Sequence, residues 1–548
     1  PTLFEDVAAT VGLPTEAAAT RLAFGDLDSD GYCDIVLDRT NLWFNRPTDS
    51  KEPARRFVLA PLPICADGQR RPDVVLVGDL DNDGVADLFL GRNTDLSNPK
   101  FKDDQLRHEI WMGDGKGGYQ LKRKSGVEDF AETIISACLV DFDRDGNLDL
   151  FLANAYTAYG KSYEAFPDRL LRGRGDGRFL DVTKTAGLEG VAKVGLETSR
   201  RPSYGVTHTD WNNDGWQDLL TMSYGRQANR LWRNDGDGTF TDVGAATTFD
   251  GDDDRSGEYP AGVRRAKEPE FRSHGNDFDC AVADFDGDGD MDCFLATIAH
   301  GWGGPASDSS MLLVNEGADK GFVFRREKDR IPREPLTLRT NRGDLHAGWL
   351  DVDNDGWLDL LIASSDYPDQ QILRLYHQSS EGQFEEWTDR LGLLWVSPAQ
   401  ISLGDFDHDG ATDILVGRSH QRLSKEQRLE HPMRPGLLRN LCAPRSGNRF
   451  LNIRLQGKKG SSNRDAIGAR VTIWTGDHRQ TREVQGGLGV GAHRDDLDCR
   501  FGLGQADEAT RVEVRWPDRK GTVQVFEHVK ANTFYTLAQG EVLQQLAP

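Results

Sequence analysis

Asp26-Leu27-Asp28-Ser29-Asp30-Gly31-Tyr32-Cys33-Asp34 decides the fold, because the phrase Asp-x-Asp-x-Asp-Gly-x-x-Asp returns six more times. The later copies start at Asp79, Asp141, Asp210, Asp284, Asp351 and Asp405. Alternating carboxylates place several hard oxygens on one side of a tight turn, which suits Ca²⁺. The glycine at position six permits the bend that returns the last ligand to the ion. Positions one, three, five and nine supply side chains, and position seven a backbone carbonyl. The expected ligands are Asp26, Asp28, Asp30 and Asp34; Asp79, Asp81, Asp83 and Asp87; Asp141, Asp143, Asp145 and Asp149. The other four sets are Asp210, Asn212, Asp214 and Asp218; Asp284, Asp286, Asp288 and Asp292; Asp351, Asp353, Asp355 and Asp359; Asp405, Asp407, Asp409 and Asp413. Only Asn212 departs from aspartate.

These are not EF-hands. An EF-hand needs a bidentate Glu at position twelve, between helices. Here that position holds Leu37, Leu90, Leu152, Thr221, Leu295, Ile362 and Val416. Short apolar runs such as Ile35-Val36-Leu37 and Leu360-Leu361-Ile362 follow the loops, and Val74-Val75-Leu76-Val77 precedes one. Each loop therefore joins two buried strands. A chance match is easy once and very improbable seven times over.

The composition agrees. The formal charge of the 548 residues is −23, and adding the +14 of seven divalent ions leaves −9. The acidity serves metal binding, and the lack of a basic stripe argues against nucleic acid as a partner. No apolar run is long enough for a transmembrane helix. Loops of this number suit a calcium-rich compartment, so the expected location is secreted or periplasmic, with a signal sequence already removed. Seven cysteines leave at least one thiol unpaired or intermolecular; Cys280 and Cys293 flank the fifth loop and either pair or stay as buried thiols.

Loop starts are separated by 53, 62, 69, 74, 67 and 54 residues, the period of four-stranded blades with insertions. A second phrase follows each loop, clearest as Leu231-Trp232-Arg233-Asn234-Asp235-Gly236-Asp237-Gly238-Thr239-Phe240. Strand, Asp-Gly turn, strand is a hairpin signal. One repeat is then two hairpins, the inner one carrying calcium. Leu3–Leu13 resembles the outer-strand phrase Phe179–Leu188 but stands before the first loop, so it is expected to complete the seventh blade and leave no free edge. Phe249–Arg272, Lys161–Asp168 and Ala299–Ser310 read as rim loops, and His420–Pro435 as a short exposed helix. After Pro444 the calcium phrase stops, and alternating segments such as Arg449–Leu455 and Val471–Trp474 read as a small separate β domain.

The repeats resemble FG-GAP or VCBS repeats of integrin-type propellers. The tail is similar to the ASPIC/UnbV domain through Ser462-Asn463-Arg464-Asp465, Ile467-Gly468-Ala469-Arg470, Phe501-Gly502-Leu503-Gly504 and Arg515-Trp516-Pro517. Together they resemble the cartilage-acidic-protein-like family. The resemblance implies an all-β chain: a seven-bladed calcium-binding propeller over residues 1–444 and an ASPIC/UnbV-like domain over 445–548. It implies about seven Ca²⁺ and an exported module for adhesion to, or binding of, a protein or glycan. Fold alone does not fix that function.

The alternative is a metal-dependent lyase, hydrolase or cyclase at the channel mouth, with a second metal there. In integrin-type propellers the strand before the loop lines the channel. Residues five to seven positions before each first Asp then cluster: Arg21, Asp73, Ser136, Ser203, Tyr204, Asp277, Asp279, Asp344, His346 and Gln400, with His208 and His274 nearby in sequence. Asp279 and His346 are expected to face each other, with Asp277 and Asp344 on the same strand faces; Arg21 and Tyr204 complete the candidate catalytic set. No nucleophile or phosphate-loop motif is present. Arg342-Gly343-Asp344 precedes an inner strand, where an integrin-ligand tripeptide would be poorly displayed.

Overall fold

The computed structural model describes the chain apart from residues 1, 51–52, 62–63, 67–69, 94–106, 162, 194–197, 252–257, 260, 265–274, 302–306, 334–340, 366–370 and 547–548. Parts of all three expected rim loops, and His274, therefore lie outside the described residues.

Each of the seven calcium phrases sits between the first two strands of a four-stranded antiparallel blade; five blades are separate sheets, and the fifth and sixth are joined through Ile298–Gly343 pairing into one eight-stranded sheet. The first is Leu22–Gly25, Asp34–Leu37, Asn41–Pro47 and Arg55–Leu59. The inner strands of the next six are Val74–Gly78, Ile134–Val140, Ser203–Thr209, Asp277–Ala283, Arg342–Leu350 and Pro398–Gly404. Each packs against the next, and the last returns to the first, which closes a ring. Burial on both faces explains the near-continuous apolar runs: every residue of Val74–Gly78 and Asp87–Gly91 is buried.

The N-terminal strand Phe4–Asp6 completes blade seven. It pairs antiparallel with Gly436–Asn440, with Phe4 opposite Asn440 and Asp6 opposite Leu438. Side-chain amides stitch the blades together. Asn45, Asn234, Asn315, Gln378 and Asn440 each donate to the carbonyl of the second residue of the preceding blade's loop, at 2.8–2.9 Å. The same five residues donate their backbone N–H to the ninth Asp of their own loop. Gly113 and Gly173 do so in the other two blades. A helix, Lys425–Glu430, closes its first turn with a Ser424–Gln427 capping box.

Two four-stranded sheets follow the ring. In one, Arg449–Gln456 lies between antiparallel Asp498–Gly504 and parallel Thr533–Ala538. In the other, Arg470–Thr475 lies between His478–Glu483 and Glu508–Arg515. Leu451, Ile453, Val471, Ile473, Phe501, Val512 and Trp516 form their core, continuous with Leu76 and Leu139 of blades two and three. The C-terminal sheets are thus seated on the ring. Arg342-Gly343-Asp344 is buried within a strand, so it displays no tripeptide.

Candidate functional site

At least four of the seven loops bring their acidic side chains together. Asp26, Asp28 and Asp34 offer oxygens within 4.8 Å of one another, as do Asp79, Asp81 and Asp87, and Asp141, Asp143 and Asp149. Asp353, Asp355 and His377 form a mixed group. In five of the loops the first Asp accepts backbone N–H groups from positions five and six, as Asp26 does from Asp30 and Gly31 at 3.0 and 2.9 Å; Asp210 accepts only from position six. The ninth Asp is buried in every blade and accepts the N–H of position two in six of them, as Asp34 does from Leu27. It is therefore a structural pin as well as a ligand candidate.

The donor set fits Ca²⁺. Buried oxygens of Asp28, Asp81 and Asp353 receive no hydrogen bond among the described residues. Burial pushes the Asp34 and Asp87 carboxyls up to about 8. Burial, then the charges of Asp145 and Asp143, push Asp141 well above the carboxylate range. A hard cation relieves all three conditions. In blades one, three and seven an arginine already reaches these carboxylates: Arg46 meets Asp28, Arg172 meets Asp143, and Arg439 meets Asp407. Asn212 turns its amide toward Asp214. His377, on the third strand of blade six, was not legible as a neighbour of the loop and bonds Asp359 at 2.9 Å.

The residues lining the channel meet a partner that the repeat pattern does not announce. The channel is filled by the C-terminal domain, whose segment Val484–Asp496 threads the ring. Inner strands hold this plug from several sides. Leu139 N–H donates to Gly486 O, and Gly491 N–H donates to Ile135 O. Ser136 Oγ donates to Gly489 O, and Ser402 Oγ to Arg494 O. Gly486 N–H donates to His208 Nε2 at 2.9 Å, and Gln400 Nε2 to Gly491 O at 3.0 Å. Ser136, Asp279, His346 and Gln400 all lie five residues before their loop's first Asp, so equal register brings them to one height, where they grip or face the plug.

Asp279 and His346 do meet, at 3.8 Å between Oδ2 and Nδ1. A third group joins them from the plug: His493 Nε2 lies 3.0 Å from the same Asp279 oxygen. Burial pulls the His346 imidazole well below its ordinary value, reinforced by His493 and Arg21. Burial also opposes charge on His493, but Asp279 overcomes it and raises that imidazole.

Asp277 and Asp344 are not part of this group. A β-bulge separates Asp277 from Asp279 and Asp344 from His346, and similar register shifts occur in blades three, four and seven. The extra residue breaks the two-residue alternation and turns the earlier side chain away. Asp277 bonds Asn229 and Thr297, whereas Asp344 bonds Ser310, Ser364 and Arg333. Asp73 pairs with Arg70, and Ser203 bonds Asp168. Arg21 and Tyr204 line the mouth opposite the calcium loops. All seven cysteines are free thiols, with Cys280 hydrogen-bonded to Cys293.

The sequence reading missed the plug and His493. The available signal was Gln485-Gly-Gly-Leu-Gly-Val-Gly-Ala-His493, a stretch too rich in glycine for a packed strand. A Cβ on Gly486 would stand 1.9 Å from the Leu139 carbonyl oxygen, and one on Gly489 2.1 Å from Asp279. Gly489 also has φ +52°, where a side chain adds strain. Gly489→Ala should therefore release the plug, read as strongly increased amide exchange over residues 484–496; unchanged protection would exclude this packing.

An FG-GAP-like repeat model matches residues 210–295 and 351–416, and an ASPIC and UnbV model matches 458–544. The chain thus carries FG-GAP-like repeats within its ring and an ASPIC/UnbV domain at its C-terminal end. It is similar to relatives named cartilage acidic protein 1. The human relative is 26% identical over 532 residues, covering 91% of this chain and 70% of the relative. The Xenopus tropicalis relative is 27% identical over 301 residues, which cover 53% of this chain and 38% of the relative. Solved structures that resemble the fold loosely include BBS1N in complex with ARL6DN, at TM-score 0.39 and 10% identity, covering 80% of this chain and 97% of that one. Rhamnogalacturonan lyase YesW gives TM-score 0.32 and 12% identity over 97% and 92% of the two chains. Among the described residues no helix is long and apolar enough to cross a membrane.

Proposed function

We propose that the protein is an exported, calcium-loaded binding module whose ligand is an acidic glycan held at the open mouth of the ring. The mouth on the calcium-loop side is occupied by the C-terminal domain. The opposite mouth carries the observation on which this reading rests: a cavity of about 440 Å³ walled by Tyr159, Tyr204, Tyr224 and Phe278, with Arg21, Arg39 and Arg422 around it. The plug residue Val490 contributes to its lining.

Tyrosine faces stack on the apolar faces of sugar rings, and guanidinium forks match carboxylates. The rings are mutually braced: Tyr204 and Tyr224 lie 4.7 Å apart, and Tyr156 packs edge-on to Tyr159 at 5.6 Å. Tyr159 is 57% exposed despite that packing, so it is positioned for contact outside the protein. Arg21 is half-buried and forms no ion pair among the described residues; burial and then Arg39 lower it to about 10, offset only in part by the more distant charge of Asp73. An incoming carboxylate supplies the missing counter-charge.

The test is calorimetric titration of the full chain, with calcium present, against uronate-containing oligosaccharides and their neutral counterparts. Uronate binding should be preferred, and Tyr159→Ala should weaken it about three- to ten-fold, the worth of one aromatic stack. Failure to bind any uronate oligosaccharide at millimolar concentration would overturn the reading.

A further inference from the structure

We propose that Asp279, His346 and His493 bind one transition-metal ion, Zn²⁺ by preference, which staples the C-terminal plug to blades five and six. The three residues come from three separate elements: the inner strand Asp277–Ala283, the inner strand Arg342–Leu350, and the plug between His478–Glu483 and Asp498–Gly504. One ligand atom from each lies within 4.8 Å of the other two. Their side chains are 0–1% exposed.

The hydrogen-bond accounting leaves a gap that a metal fills. Asp279 Oδ1 accepts the Cys280 N–H at 2.8 Å, and Oδ2 accepts the Ala347 N–H at 3.0 Å. These bonds fix the carboxylate in place, as second-shell partners fix metal ligands. Oδ2 is also 3.0 Å from His493 Nε2. His346 Nδ1, aimed at the same oxygen from 3.8 Å, has no hydrogen-bond partner among the described residues. Leaving a buried imidazole nitrogen unsatisfied is costly. A tetrahedral Zn²⁺ with bonds of about 2.0–2.1 Å places neighbouring ligand atoms roughly 3.3 Å apart. The two observed separations, 3.0 and 3.8 Å, bracket that value.

The donor chemistry separates this site from the seven loops. The loops offer oxygens, whereas two imidazoles and one carboxylate favour zinc, iron or cobalt over calcium. Three protein ligands also leave a coordination position for water. His346 lines the mouth cavity, so exchange with solvent runs through that side. With the ion bound, the plug is tied to the ring by coordination as well as by hydrogen bonds. The competing arrangement is a metal-free Asp279–His493 ion pair with a neutral His346.

The experiment uses the full chain in calcium-replete buffer after a nitrogen-donor chelator has removed transition metals. Zn²⁺ or Co²⁺ is returned, and bound metal is counted by mass spectrometry after gel filtration. The expected result is about one equivalent per chain beyond calcium, with a visible Co²⁺ absorption band of low-symmetry coordination. His346→Ala and His493→Ala should each lose this equivalent while retaining full calcium content. Wild-type protein that takes up no Zn²⁺ or Co²⁺ establishes the metal-free pair and overturns the proposal, with no variant required. Full metal retention by a folded His346→Ala chain overturns it as well.

Discussion

Stripping calcium from the folded protein should lower its melting temperature by about 20 °C or more and free the C-terminal domain from the ring. Each loop crowds at least three carboxylates, and those of Asp141, Asp351 and Asp405 are pushed well above their usual range by burial and by neighbouring aspartates. A site filled at a hundredfold excess over its Kd stabilises the fold by roughly 2.7 kcal/mol. Seven such sites together exceed the net stability of about 5–15 kcal/mol typical of a folded domain. At about 2–4 °C per kcal/mol, even partial loss is a large shift. The C-terminal domain should feel it first, because it rests on the loops. Asp465, Glu483 and Asp496 accept the backbone N–H of Asp79, Asp210 and Asp405, and Arg454 and Arg515 pair with Asp26 and Asp210. Differential scanning calorimetry with measured calcium content, alongside proteolysis of residues 484–496, provides the check. An unchanged melt in a sample verified as calcium-free would remove calcium from the account of stability.

Deleting residues 1–13 should make the protein aggregate. The segment supplies the outer strand of blade seven and buries Phe4, Val7, Val11 and Leu13. Leu13 and Val11 pack with Leu22, Phe24 and Leu437, which spans the seam between blades seven and one. Burying one such side chain contributes about 1.5–3 kcal/mol, so four approach the stability of a whole domain. Removal also exposes the backbone ladder of Gly436–Asn440, an edge open to pairing with other chains. Light scattering and analytical ultracentrifugation read the outcome. A stable monomer after deletion would show that the ring closes without the segment. Supplying the residue 1–13 peptide in trans should restore solubility in part, since the slot is preformed.

The sequence by itself determined everything local and repetitive. The nine-residue phrase specified its own turn, because Asp26 and its equivalents in four other blades fold the loop through hydrogen bonds from residues four and five positions later. Apolar runs on both sides specified buried strands, and the phrase at Leu3–Leu13 specified closure because it copies an outer strand out of order. Equal register also brought Asp279 and His346 together, since the same offset from a repeated loop means the same height on a ring.

Tertiary structure decided what repetition could not encode. The bulge between Asp277 and Asp279, and its counterpart before His346, broke the alternation that placed Asp277 and Asp344 in the site. Its presence depends on how neighbouring blades pack, and no residue type in the strand announces it. The identity of the third group, His493, depended on docking a domain more than a hundred residues away in sequence. That docking places a glycine-rich segment, whose backbone can approach the inner strands closely, inside the channel. The polar lining of the ring is satisfied for that reason by the backbone groups of a narrow segment, and these bonds hold the two domains together.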